Sequence, residues 1–133
     1  MARYLNIWDY RAAARRRLPR AFFEFLDRGT EDEAAMAANR EALSAIRLRP
    51  AILADVGTID TTTTLLGRSV SLPVAIAPTG VAGMMAYRGE LAVARAAGRA
   101  GIPFTLATSS TSTIEEIADA ATSGFWLQLY VWD

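Results

Sequence analysis

The chain has 133 residues, 52% of them hydrophobic, and 14 basic side chains balance 14 acidic ones for a formal net charge of zero. That length and apolar content suffice for one domain with a real core, and neutrality offers nothing to attract nucleic acid or an anionic membrane. Cysteine and histidine are absent and every basic residue is an arginine, which excludes disulfides, thiolates, an imidazole base and a Schiff-base lysine within this stretch.

No metal site is expected, because the soft ligands are missing. The N-terminus lacks an unbroken apolar h-region, and no apolar run is long enough to span a bilayer. Cytoplasm is therefore the default location.

Leu5 to Arg17 predicts a helix, with Ile7, Tyr10, Ala14 and Leu18 recurring near one helical turn. Pro19 suits the first turn of a second helix, which places Phe22, Phe23, Phe25 and Leu26 on or near one face, and Gly29 is its expected C-terminal cap. Arg15, Arg16, Arg17 and Arg20 form a basic run, read as a solvated face. Thr30 and Glu33 have capping-box spacing and open a third helix through Ala35 to about Ile46. Arg47 to Asp60 is irregular, broken at Pro50 and Gly57. Thr61 to Ser71 is β-branched on both sides of Gly67-Arg68, which predicts a small hairpin.

From Pro73 the texture changes. A buried strand is expected over Val74 to Ala77, then a glycine-rich loop and an alanine-rich helix from about Glu90 to Ala100, capped by Gly101. A second strand follows at Ile102 to Ala107, then the polar loop Thr108-Ser109-Ser110-Thr111. Ser112 or Thr113 can cap the next helix, with Glu115 and Glu116 in its acidic first turn. A third strand is expected over Phe125 to Tyr130. Strand, helix, strand, helix, strand at this spacing is the mark of parallel βαβ units. A doubly wound sheet would satisfy it, although no GxGxxG triplet follows the first strand. A (β/α)8 barrel would satisfy it too, and since such barrels run to about 250 residues, 133 would hold only an opening portion.

In a barrel the working face lies at the carboxyl ends of the strands. Those ends are Ala77-Pro78-Thr79-Gly80, Ala107-Thr108-Ser109-Ser110 and Gln128-Leu129-Tyr130. Pro78 cannot donate to a ladder and Gly80 has no side chain, so a flat ligand could approach the main chain there; a plain strand-to-loop turn reads the same five residues equally well. Gln128 and Tyr130 are two apart, so on a strand they point the same way. A glutamine amide both donates and accepts, which suits a ring edge of alternating N–H and C=O groups. A phenol can donate to a carboxylate or alkoxide.

Taken together, LPRAFFEFLDRGTEDE, ANREALSAIRLRPAILADV, TTTTLLGRSVSLPVAIAPTG, GELAVARAAGRAGIP, STSTIEEIA and FWLQLYV resemble the FMN-dependent α-hydroxy-acid oxidases and dehydrogenases. The glycine of IAPTG and the phrase ARAAGRAGIPF look most like the mandelate dehydrogenase branch. The resemblance implies an α/β fold: the N-terminal part of a (β/α)8 TIM barrel, preceded by N-terminal helices and a small hairpin. Residues 1–133 would hold those helices and the first three strand-helix units, an incomplete domain. FMN would lie across the carboxyl-end mouth, against Ala77, Pro78, Thr79, Gly80, Ala107 and Thr108. Gln128 would bond its pyrimidine end, while Phe25 and Tyr130 would meet the substrate.

Two departures stand out. Family members commonly carry a substrate-binding tyrosine where Phe25 stands, and a serine near the flavin where Ala107 stands, with Thr108 next to it. The family's catalytic histidine, its lysine and its carboxylate-binding arginines fall later in the family sequence, so no catalytic residue is assigned in this chain. The implied function is oxidation of a small 2-hydroxy acid, mandelate-like or otherwise, to the 2-oxo acid, by a complete protein expected to be a homo-oligomer. Its electron acceptor could be oxygen, a membrane quinone or another carrier, which leaves a peripheral membrane location open beside the cytoplasmic one. The alternative reading is a non-catalytic or altered-substrate flavin-binding homologue of the same barrel.

Overall fold

Residues 4–131 are described in the computed structural model, and the chain divides after Val56 into two units. The first contains α1 (Ile7–Arg17), α2 (Arg20–Asp27) and α3 (Ala34–Ala45). Asn6 caps α1 by accepting from the backbone N–H groups of Trp8 and Asp9, and the Asp9 carboxylate accepts in return from the Leu5 N–H at 2.8 Å. Arg15, Arg16 and Arg17 close the helix where its carbonyl end favours cations. The Arg11 guanidinium clamps Asp27 in a two-bond fork at 2.5 and 2.7 Å, and the hydrogen bond to Arg11 holds the Asp27 carboxyl below its ordinary value. Arg40 lies over the Trp8 ring at 5.0 Å. Among the described residues of this unit only Ala13 is buried, so α1 to α3 are held by rim contacts more than by a core.

Two boundaries differ from the sequence reading. Pro19 is the N-cap of α2 rather than part of its first turn, and α2 ends at Arg28 in extended conformation, so Gly29 is not its cap. The expected Thr30–Glu33 capping box does not form. Glu33 instead becomes the N-cap of α3 with φ 59°, and its carboxylate accepts from the Gly29 N–H at 3.1 Å. A side chain committed backwards to Gly29 cannot close a box with Thr30.

The second unit begins with an antiparallel hairpin of β1 (Thr63–Leu65) and β2 (Arg68–Val70), in register Thr63 to Val70. Its turn is Leu66-Gly67, both at positive φ, one residue earlier than the sequence suggested. Next come α4 (Ala82–Met85), α5 (Gly89–Ala100), β3 (Phe104–Leu106), α6 (Ile114–Ala120) and β4 (Phe125–Leu127). β3 and β4 pair in parallel, Phe104 against Phe125 and Leu106 against Leu127. The expected first strand shrinks to one parallel bridge, Ile76 to Phe104. The cause is local: the Val74 N–H turns back onto the Leu72 carbonyl at 2.8 Å across Pro73, and Pro78 has no N–H to give. Val74, Ala75 and Ala77 are accordingly exposed, not buried as a full core strand would be.

The parallel order is therefore Ile76, β3, β4, in chain sequence, with helices between. Leu91, Ala94 and Ala97 of α5 and Ile117 and Ala120 of α6 pack on Phe104 and Leu106, with Ile76 and Phe125 at the margin. Ile117 and Leu106 are among the largest fully buried side chains, each worth about 1.5–3 kcal/mol of burial. Gly101 at φ 66° caps α5 as expected, its N–H reaching the Ala97 and Gly98 carbonyls. Thr113 and Glu116 form a complete capping box on α6.

Candidate functional site

The core fixes one end of the parallel strands. Phe104 and Leu106 face the helices, and register puts Phe125 and Leu127 on the same side. Alternation then turns Thr105 and Trp126 to the opposite face, and Gln128, two residues beyond Trp126, follows them as β4 gives way to loop. The Gln128 N–H still reaches the Leu106 carbonyl at 2.9 Å, so its backbone is held by the ladder.

Three sequence-predicted residues meet at this end. Gln128 Oε1 accepts from the Thr108 N–H at 3.1 Å. The Thr108 hydroxyl donates to the Gln128 carbonyl at 2.6 Å and accepts from the Tyr130 N–H at 3.1 Å. β4 ends at Leu127, so strand alternation does not align Gln128 with Tyr130; both are anchored on Thr108 instead. The Thr108 hydroxyl is committed to the main chain after β4, at Gln128 and Tyr130. Ala107 itself is buried. The amide orientation of Gln128 follows from chemistry: the Thr108 N–H needs an acceptor, so Oε1 faces it and the two N–H bonds of Nε2 remain for another partner. On the helix side of this strand end, against the start of α6, lies an open cavity of about 270 Å³ whose wall includes Leu106, Thr108, Thr113, Ile114, Leu127 and Gln128.

The segment Ala77-Pro78-Thr79 is exposed, and the Thr79 hydroxyl lies 3.5 Å from the Ala77 carbonyl, a long contact. It is joined to the loop after β3 by the Val81 N–H, which donates to the Ser109 carbonyl at 2.9 Å. Gly80 sits against the Ser109 hydroxyl, where a Cβ would collide. Phe25 belongs to the N-terminal unit, on α2, with 70% of its surface exposed. Tyr130 is half exposed.

Sequence reasoning passed over Glu90, Ser109 and Thr111. Glu90 is only 2% exposed. Burial acts to raise its carboxyl, but the backbone N–H groups of Thr111, Glu90 and Gly83 and the Thr111 hydroxyl outweigh burial and hold it below the usual value. A signal was present. Glu90, Ala94 and Ala97 lie at i, i+4 and i+7, so the carboxylate stands on the apolar stripe of its own helix.

A sequence profile described as FMN-dependent dehydrogenase matches residues 14–133. The chain belongs to the FMN-dependent dehydrogenase family. An L-lactate dehydrogenase of Caulobacter vibrioides is 49% identical over 123 residues, which cover 92% of this chain and 32% of that protein. The chain thus spans about a third of the length of the curated relatives it matches. The soluble mutant of the membrane-associated (S)-mandelate dehydrogenase from Pseudomonas putida superposes with a TM-score of 0.90 at 40% identity, over 97% of this chain and 37% of that one. A mandelate oxidase mutant carrying an FMN adduct gives 0.84 at 42% identity, over 92% and 37%. The expected likeness to mandelate dehydrogenase holds in the fold, and FMN is the cofactor.

The residues of this FMN-dependent dehydrogenase chain fit a flat ring. Ala77, Pro78, Gly80 and Ala107 are small or compact, which lets a planar group lie close to main chain. Gln128 offers two unspent amide donors for a ring carbonyl edge. Among the described residues no group of acidic, cysteine or histidine side chains could hold a metal ion, and no helix is long and apolar enough to cross a membrane.

Proposed function

We propose that the complete protein is an FMN-dependent oxidoreductase that converts a 2-hydroxy acid to the 2-oxo acid. On this reading residues 57–131 open a (β/α)8 barrel whose cofactor lies at the carboxyl ends of Ile76, β3 and β4. The observation that carries it is the Thr108 junction, which holds the Gln128 amide with its acceptor spent and its donors left over. Bound FMN supplies a two-electron acceptor. The part of residues 57–131 is to seat the ring on Ala77, Pro78, Thr79, Gly80, Ala107 and Thr108, to meet its edge with Gln128, and to line the substrate side with Tyr130. Phenylalanine at position 25 favours an aromatic 2-substituent over a small one. The proton-accepting base lies outside these residues, since the chain contains no histidine or lysine.

The test is anaerobic mixing of the purified complete protein with (S)-mandelate, L-lactate and glycolate. Bleaching of the bound flavin is expected, fastest with mandelate. A protein that isolates without FMN and takes none up refutes the reading. Tight FMN binding without bleaching by any 2-hydroxy acid favours the second reading, a non-catalytic or altered-substrate homologue, which Phe25 and the missing hydroxyl at Ala107 support. Size-exclusion chromatography tests the expected homo-oligomer. Fractionation separates a cytoplasmic protein from one peripheral to a membrane.

A further inference from the structure

Glu90 stands at the start of α5 with its side chain fully enclosed. Its Oε1 accepts from the Thr111 N–H at 3.1 Å and lies 3.0 Å from the Thr111 hydroxyl, which is 2.9 Å from Oε2. Gly83 of α4 stands against Oε2 on the other side. Gly83 makes this approach possible, because a Cβ there would run into the Thr111 hydroxyl and lie 3.2 Å from Oε2. One carboxylate therefore fastens two segments that meet nowhere in sequence. Gly83 belongs to the stretch that leaves the Pro78–Gly80 main chain, and Thr111 to the stretch that leaves Ala107 and Thr108. The Val81 to Ser109 backbone bond lies between them. The groups that hold the carboxylate are hydrogen-bond donors, and a carboxylate accepting several N–H and O–H bonds is a rigid anchor, costly to unmake when buried.

We propose that Glu90 is a positioning residue of the FMN site: by bonding Thr111 while packing against Gly83 it sets the spacing between the Pro78–Gly80 and Ala107–Thr108 main chain against which the ring would lie. This rests on the cofactor reading above. Glutamine at position 90 keeps the size and one acceptor oxygen for the Thr111 N–H, but it loses the charge and sets an NH₂ against Gly83 and the Thr111 hydroxyl, which must turn to accept from it. Valine at position 111 keeps the backbone N–H and removes the hydroxyl.

The experiment uses the complete protein, stripped of FMN and titrated back by flavin fluorescence, with the visible spectrum of the bound flavin recorded. Glu90→Gln and Thr111→Val should each raise the FMN Kd about tenfold and shift the bound-flavin bands. The double variant should be no weaker than the weaker single one, since both remove the same junction. Arg88→Ala breaks the exposed Arg88–Glu116 pair at the same helix end and should stay within twofold of the parent. If Glu90→Gln does not fold, Thr111→Val carries the test alone. Unchanged Kd and spectrum in the variants overturn the proposal, as does an equal loss in Arg88→Ala. If Gln128→Leu still weakens FMN in that case, the cofactor reading stands without Glu90. A parent protein that binds no FMN removes both.

Discussion

Gln128 offers a substitution pair that separates its two jobs. Its Oε1 accepts from the Thr108 N–H at 3.1 Å, while Nε2 is left to donate. Gln128→Glu keeps the first bond, because a carboxylate oxygen accepts from the Thr108 N–H as well as an amide oxygen does. It removes the second, because a carboxylate has no N–H, and it sets a negative oxygen against a ring carbonyl. Gln128→Leu removes both and leaves the Thr108 N–H without its partner. In the complete protein the group left unpaired under bound FMN would be the ring edge, at a cost of about 1–3 kcal/mol. For cofactor binding that range is a rise of about 5- to 140-fold in the FMN Kd. Both variants of the complete protein should therefore lose FMN affinity, measured by fluorescence titration of the stripped protein. Only Gln128→Leu should also lower the melting temperature of the FMN-free form, and only slightly, because Thr108 is exposed and water can take the freed N–H. A Gln128→Glu protein that holds FMN within twofold of the parent would refute the assignment of the amide donors to the ring. Gln128 would then be a strand-end bolt for Thr108 and nothing more.

The helix behind this site makes two opposite expectations for alanine. A Cβ on Gly89 would lie 2.5 Å from the Ala82 carbonyl oxygen, which is backbone and cannot give, so Gly89→Ala should destabilise by about 1–3 kcal/mol. On Gly98 it would meet the Thr122 hydroxyl, which can swing aside, so Gly98→Ala should be neutral or gain up to about 1 kcal/mol of helix propensity; urea unfolding of the complete protein compares them. Phe25→Tyr should improve glycolate and lactate more than mandelate, by about one to two powers of ten in kcat/KM, if the new phenol reaches the substrate carboxylate; no change in the ratio removes position 25 from the substrate wall. This 133-residue chain alone, given FMN and mandelate without oxygen, should show no bleaching, because it contains neither histidine nor lysine to take the proton; ordinary turnover would overturn that expectation.

Elements whose ends are set by one local side-chain bond were the legible ones. Thr113 and Glu116 close their box, and Gly101 takes the left-handed conformation that only a glycine adopts at ease. The Thr30–Glu33 box has the same spacing and failed, because Glu33 had a nearer donor in Gly29. Strand lengths were overread for a related reason. Apolar alternation marks where a strand could run, but pairing stops where donors run out, and Pro73 and Pro78 cut the first strand to Ile76. At the site, positions on the carboxyl ends of strands could be named from the order of elements alone. What those residues bond to could not. Thr108 was named for its place at the strand end, and only the structure shows its hydroxyl spent on Gln128 and Tyr130. Glu90 was named only as a helix start; its place on the stripe with Ala94 and Ala97 was the signal, and packing shows what that place means, a carboxylate 2% exposed.

These features share a physical logic. On the proposed reading, the surface offered to the ring would be mostly main chain and compact side chains, which have no rotamers to adjust, so its geometry would be set from behind. Three junctions do so at successive depths. Thr108 with Gln128 joins the ends of β3 and β4, Val81 with Ser109 joins the first loop to the second, and Glu90 joins both to the buried start of α5. The first is exposed and exchangeable with water, so its loss should act mainly on the group it faces. The last is enclosed, so its loss should reach the whole strand-end face. A break at the exposed junction should therefore act on FMN affinity far more than on the stability of the FMN-free form, whereas a break at the enclosed one should act on both. Equal losses of stability in Gln128→Leu and Glu90→Gln would contradict that logic.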